Sequence, residues 1–190
     1  MARTTASKDA AADRVLSLKV TLKRTKPPIW RRILVPESMT LGELSEAILA
    51  AMGWDGGHLH AFDVDGRRYG DPATTDEVAD DSRATLKALL ESGVKRFGYT
   101  YDFGDGWEHT IAIEKTEGPV PGPACVAGAR KCPPEDCGGV WGYAELLEIL
   151  ADPGHPEREE RLEWIGGEFD PEEFDVAEAD KRLAARFKRK

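Results

Sequence analysis

The stretch FGYTYDFGDGWEHTIAI, residues 97–113, decides the reading of this chain. Phe97, Tyr99, Tyr101 and Phe103 share one face of a strand, and Trp107, His109, Ile111 and Ile113 share one face of the next. A two-residue turn at Asp105-Gly106 would set the aromatic face of one strand against the polar face of its partner, because a one-residue slip exchanges the faces. A three-residue loop, Gly104-Asp105-Gly106, instead pairs Phe103 with Trp107, Tyr101 with His109 and Tyr99 with Ile111, and keeps one face apolar. The spacing therefore predicts an antiparallel hairpin closed by that loop.

Upstream, Leu16, Leu18, Val20 and Leu22 alternate with polar residues as in a half-buried strand. A turn at Pro27 and Pro28 leads to a second strand, Ile29 to Val35, in which the stems of Arg31 and Arg32 lie along apolar neighbours. Thr40-Leu41-Gly42-Glu43 has the spacing of a capping box. Leu44, Ile48, Ala51 and Met52 then recur at helical steps, and Gly53 ends the helix. His58, His60 and Phe62 alternate with Leu59 and Ala61 in a third strand ending at Asp65-Gly66. Strand, strand, helix, strand is the opening order of a β-grasp unit.

Downstream, a short helix spans Arg83 to Ser92, with Leu86, Leu89 and Leu90 on one side. Residues 118–139, rich in Pro, Gly and Cys, read as an ordered but irregular excursion. Helices follow at Tyr143 to Leu150, at Pro156 to Trp164, and in a terminal segment carrying Val176, Leu183 and Phe187. Strands segregated from helices define an α+β fold with an antiparallel or mixed sheet and C-terminal helices. Residues 15–187 read as one domain behind a disordered tail, residues 1–14.

At 190 residues and 20.9 kDa the chain has the size of one globular domain, which excludes a large multidomain enzyme. Its 41% hydrophobic content is enough to build a packed core. No run approaches the roughly 18 apolar residues of a membrane span, and the N-terminus lacks the apolar centre of a signal peptide, so the expected location is cytoplasmic. Charge is unevenly placed. Residues 1–36 hold nine basic and two acidic side chains, residues 181–190 hold six basic and none acidic, and residues 37–180 carry a net charge of −22. A body of that sign repels phosphate, which leaves only the basic termini for nucleic acid.

Several blocks together carry a resemblance. Pro-Pro-Ile-Trp-Arg-Arg at 27–32, Met52-Gly53-Trp54 before His58-Leu59-His60-Ala61-Phe62, Tyr101 to Asp105 with Trp107 and His109, and Pro133 to Gly139 with Gly142-Tyr143 resemble the plasmid pRiA4b ORF-3-like family over residues 15 to 187. The resemblance implies an uncharacterised protein associated with mobile elements, some relatives being labelled resolvase-like passengers of insertion elements. A serine recombinase needs an activated serine, arginines at the phosphoryl centre and a basic DNA-reading module. Ser7, Ser17 and Ser38 have no such company here.

The residues that could carry chemistry fall in three places. His58 and His60, two apart on a strand, project from one face and are spaced to share a metal ion, with His109 on a strand of the same sheet. Equally, they read as partly buried, hydrogen-bonded histidines. Cys125, Cys132 and Cys137 form C-x6-C-x4-C, an odd set without a CxxC pair. They read either as a structural zinc site completed by His155 or a strand histidine, or as small buried thiols under a proline-rich loop. In Pro133 to Gly139, Glu135 and Asp136 are expected to cap the following turn, and Gly138-Gly139 to let backbone approach the sheet. Asp102-Phe103-Gly104 matches the metal-binding tripeptide of kinases, but every other kinase motif is missing. Trp30, Trp54, Trp107, Trp141 and Trp164 read as packing residues whose indole N–H groups find acceptors, or as a partner-binding rim if several border a groove.

From these residues the first expectation is a non-catalytic interaction module with an unidentified protein partner and no membrane. Its polar pocket lies where the histidine strand, the hairpin and the cysteine loop meet, drawing on His58, His60, Tyr101, Asp102, Asp105, Trp107, His109, Glu135 and Asp136. The alternatives are a zinc-type metal-dependent hydrolase with His58, His60 and His109 as ligands and Asp102 or Glu108 as base, and a DNA-associated accessory protein acting through its basic ends.

Overall fold

The computed structural model describes residues 13–117 and 122–188, so nearly all of the expected tail lies outside the described residues. Strands β1 (Val15–Leu22) and β2 (Trp30–Pro36) form the first hairpin, and helix α1 (Leu41–Met52) follows. Then come β3 (His60–Val64), β4 (Arg67–Gly70), β5 (Ala79–Asp80), α2 (Leu86–Glu91), β6 (Arg96–Tyr101), β7 (Trp107–Glu117) and β8 (Ala124–Ala129). Helices α3 (Gly139–Ala151), α4 (Arg158–Ile165) and α5 (Val176–Arg186) close the chain. The strands make one mixed sheet in the order β5-β4-β3-β6-β7-β1-β2-β8, antiparallel throughout except between β4 and β5. The third strand therefore stands apart from the first, with β6 and β7 between them.

Local chemistry sets the elements. Thr40 and Glu43 complete the capping box of α1, and Gly53 ends it at φ 104°. The turn between β3 and β4 is the two-residue Asp65-Gly66 loop, both residues at positive φ, which matches strand twist. Leu16, Leu18, Leu22, Ile33, Leu41, Leu44, Phe62 and Trp107 are essentially sealed from solvent and form the core between the sheet and α1. At the C-terminus of α1 the Gly53 amide satisfies the Leu49 carbonyl, and two distant arginines serve the next two carbonyls. Arg31 Nε donates to the Ala51 carbonyl at 3.0 Å, and Arg182 Nε to the Ala50 carbonyl at 3.1 Å.

Four expectations are corrected. The β6–β7 hairpin pairs Tyr101 with Trp107, Tyr99 with His109 and Phe97 with Ile111, two residues away from the expected register. The loop runs from Asp102 to Gly106 because Asp102, at φ 54°, accepts the Gly106 amide on its carbonyl and the Gly104 amide on its carboxylate. Phe103 thereby leaves the strand and is exposed. Within the irregular excursion lies strand β8, pairing with β2 at the sheet edge. His58 precedes β3 and does not share a strand face with His60. Of the tryptophans, Trp54 and Trp107 are core, whereas Trp141 is 85% exposed and Trp164 48% exposed. Trp54 Nε1 donates to the Pro133 carbonyl at 3.0 Å, but the buried Trp107 Nε1 has no acceptor among the described residues.

Candidate functional site

Three segments distant in sequence meet at one end of the β3–β6–β7 sheet: residues 54–60, the hairpin loop 102–106, and the loop 132–139. Trp54 is the hub. Its ring lies 5.2 Å from Tyr101, 5.8 Å from Trp107 and, edge-on, 5.6 Å from His109, while its N–H ties down the Pro133 carbonyl. Glu135 Oε1 accepts from Tyr101 Oη at 3.1 Å and from the Asp55 amide at 3.0 Å, fastening the third segment to the first two. Asp105 Oδ2 accepts the Gly138 amide at 3.2 Å, at the start of α3. Glu135 and Asp136 therefore reach back across the chain, and the capping expected of them falls to Asp105.

The glycines show how close the approach is. A side chain at Gly139, whose φ is 67°, would overlap the Asp105 carbonyl, and one at Gly142 would overlap the Cys137 carbonyl. Both obstacles are backbone, so neither can rotate aside.

At the mouth of this junction His58 stands between two carboxylates. Its Nε2 is 3.3 Å from Asp136 Oδ1 and its Nδ1 is 3.8 Å from Asp102 Oδ1. Asp136 is mostly exposed, His58 about one-third exposed, and Asp102 8% exposed, so the three side chains step inward from solvent. Ligand atoms of all three lie within 4.8 Å of one another, and no other such trio of metal-ligating side chains occurs among the described residues. Behind them, burial raises the Glu135 pKa, and its Oε2 is sealed without a donor. Burial, and then the Glu135 charge, likewise raise the Tyr101 pKa, leaving its hydroxyl a fixed donor.

The remaining candidates are placed elsewhere. His60 Nε2 lies 2.8 Å from Asp81 Oδ2. His109 is fully buried against Trp54 and Tyr99. Glu108 is engaged by Lys23 and Arg24. His155 Nδ1 accepts the Glu157 amide in the turn before α4. The three thiols are free, and burial raises the pKa of each, Cys137 up to about 12; among the described residues none of them is grouped with other ligating side chains closely enough to share an ion. Sequence reasoning missed Trp54 as the hub and Asp55 and Asp81 as partners. The Met52-Gly53-Trp54 block is a usable signal for the first; the two aspartates look like any surface acid.

His109 makes the junction sensitive to acid. Burial holds its imidazole neutral and pushes its pKa down to about 4, while the Tyr99 and Trp107 backbone only partly offsets this and completes no hydrogen bond to either ring nitrogen. The unfolded chain takes up a proton near pH 6.5 and the folded chain does not, so stability is full above that value and falls as pH drops towards 4. Urea unfolding should show about 2 kcal/mol less stability at pH 5 than at pH 7 from this group alone. The His109→Phe variant should lose that increment; equal pH dependence in both proteins would refute the assignment.

An α+β chain whose mixed eight-stranded sheet carries an acidic, histidine-centred notch at one end is thus defined. The chain belongs to the plasmid pRiA4b ORF-3-like protein family, whose model matches residues 14–178. It is 42% identical over 185 residues to the uncharacterized protein y4hQ of Sinorhizobium fredii, covering 93% of this chain and 95% of that one. It is also similar to the crystal structure of MM3350, a protein of unknown function from Methanosarcina mazei, with a TM-score of 0.80 and 41% identity over 88% of this chain and 98% of that one. No described helix is long and apolar enough to cross a membrane.

Proposed function

We propose that the chain is a non-catalytic binding module of the cytoplasm, and that its notch around His58 receives a cationic ligand or a cationic segment of a protein partner. The observation that carries this reading is the convergence of Asp102 and Asp136, from two separate loops, about one imidazole, with Glu135 bound to the neighbouring Tyr101. Asp55 and Asp105 border the same junction. Several carboxylates gathered about a single imidazole leave an excess of negative charge, which favours a positive ligand. Exposed Leu59 and Phe103, next in sequence to His58 and Asp102, add apolar contact area beside the charge. Free thiols that need no oxidising compartment support the cytoplasmic placement.

Catalysis through His58, His60 and His109 as common ligands draws no support from their separate environments. A DNA-associated role draws none from the described basic residues near the termini, where Arg14 pairs with Glu37, Lys181 with Glu178 and Arg186 with Glu46.

Fluorescence anisotropy with a labelled lysine-rich peptide tests the reading. Binding is expected at low ionic strength, weakening at about 150 mM salt, where the Debye length falls to about 8 Å. The double variant Asp102→Asn/Asp136→Asn should bind about tenfold more weakly or worse. An absence of binding by the wild type at low salt, or equal binding by the variant, would overturn it.

A further inference from the structure

We infer that the notch is a divalent-cation site in which His58, Asp102 and Asp136 supply one ligand atom each to a first-row metal ion such as Zn2+ or Mn2+. The inference rests on the binding reading above and gives its ligand a chemical class. Ligands about 2.1 Å from a shared ion stand roughly 3 to 3.5 Å apart in adjacent positions of a tetrahedral or octahedral shell. With one atom taken from each residue, the three ligand atoms lie within 4.8 Å of one another. The two short separations leave from different ring nitrogens, Nε2 towards Asp136 at 3.3 Å and Nδ1 towards Asp102 at 3.8 Å, so binding one ion requires the imidazole to turn and present a single nitrogen between the two carboxylates.

Charge balance points the same way by a separate route. Asp102 is buried, yet only its Oδ1 receives a backbone donor, from Gly104, and its nearest basic neighbour is an imidazole at a distance too long for a hydrogen bond. A carboxylate largely withdrawn from water is stabilised by donors or by a cation, and Asp102 has one backbone donor and room for the second. Two oxygens and one imidazole nitrogen are ligands that suit Zn2+ and Mn2+, and the exposure of Asp136 leaves the outer side open to water or a ligand from a partner.

The hairpin fixes the inner ligand. Asp102 stands in the left-handed region at φ 54°, held by the Gly104 and Gly106 amides, and its own amide donates to the Leu59 carbonyl at 2.9 Å, beside His58. The innermost ligand is thus tied by backbone before any ion arrives, and Asp136 rides on the loop that the Trp54, Tyr101 and Asp105 hydrogen bonds hold in place.

The test uses the full chain without an affinity tag. Isothermal titration with Mn2+, an ion that discriminates against thiols, should show one ion per chain, and Zn2+ should bind more tightly at the same place. His58→Gln and Asp136→Asn should each weaken binding at least tenfold without changing the thermal midpoint of the metal-free protein. Should a variant fail to fold, Mn2+ broadening of wild-type amide resonances locates the ion independently: residues 56–59, 102–106 and 135–138 should broaden first. No Mn2+ binding, binding indifferent to both substitutions, broadening centred elsewhere, or Zn2+ uptake abolished only by Cys132→Ser would overturn the inference. If Mn2+ fails while the lysine-rich peptide still binds at the notch, the metal site falls alone; if neither binds, the binding reading falls with it.

Discussion

Gly139→Ala and Gly142→Ala should each cost about 3 to 5 kcal/mol of stability, enough to leave much of the protein unfolded at ordinary temperature. At Gly139 two penalties combine: an alanine must enter the left-handed region at φ 67°, and its methyl must occupy the space of the Asp105 carbonyl. At Gly142, inside α3, the methyl meets the Cys137 carbonyl, which belongs to the loop that has just turned into the helix. Relief at either position requires moving backbone, and the backbone concerned carries the Asp105–Gly138 hydrogen bond and the loop bearing Glu135 and Asp136. Gly122→Ala is the control, since nothing among the described residues lies within 4 Å of a side chain there. Denaturant midpoints decide the matter. Losses below about 0.5 kcal/mol at positions 139 and 142 would mean that the loop does not dock on the hairpin as described.

Arg31→Met is expected to destabilise by about 2 to 4 kcal/mol even though it replaces a charge with an apolar chain of similar length. Arg31 is 2% exposed and has no carboxylate partner among the described residues. It donates to the carbonyls of Ala51, Trp30 and Ala129 and stacks over the Phe174 ring, 4.2 Å from its centroid. One side chain therefore joins the end of α1, the β2–β8 edge and the segment before α5. Removing it strands the Ala51 carbonyl where the helix has no other donor, and removes the charge that faces the negative end of the helix dipole. Arg31→Lys should recover less than half of the loss, because a single ammonium cannot span three separated acceptors. Arg182→Gln, on an exposed side chain that donates only to Ala50, should cost about 1 kcal/mol or less. If Arg31→Met were as mild as Arg182→Gln, the buried guanidinium would not be the clamp described.

Much of this architecture is legible in the residues. The alternation of Leu16 to Leu22, the capping box at Thr40 and Glu43, and the aromatic faces of residues 97–113 each carry a period or a spacing that physics turns into one local structure. The hairpin register escapes because alternation fixes which face a residue takes and not which residue it opposes; registers two apart preserve every face. The choice between them belongs to Asp102, whose carboxylate and carbonyl collect two amides to close a five-residue loop. Strand β8 escapes for a different reason. Its sequence, Ala124-Cys125-Val126-Ala127-Gly128-Ala129, has hardly any apolar contrast, and it becomes a strand through pairing with β2 and through the room that Gly128 leaves for Phe174. At the notch, the unusual residues of the three segments are visible in the sequence, but their order is not. His58 sits in the loop before β3, so the pair expected on one strand divides, with His60 turning to Asp81 and His58 to Asp102 and Asp136. Nothing in a linear pattern separates those two fates.

The binding reading and the metal site both require that residues 54–60, 102–106 and 132–139 share one surface, and a nuclear Overhauser map of the wild-type protein tests this without a ligand or a variant. Cross-peaks are predicted between the ring protons of His58 and Tyr101, whose centroids lie 5.9 Å apart, and between the Trp54 indole N–H and Pro133. A spectrum in which the protons of His58 and Trp54 meet only neighbours within their own segment would contradict the account.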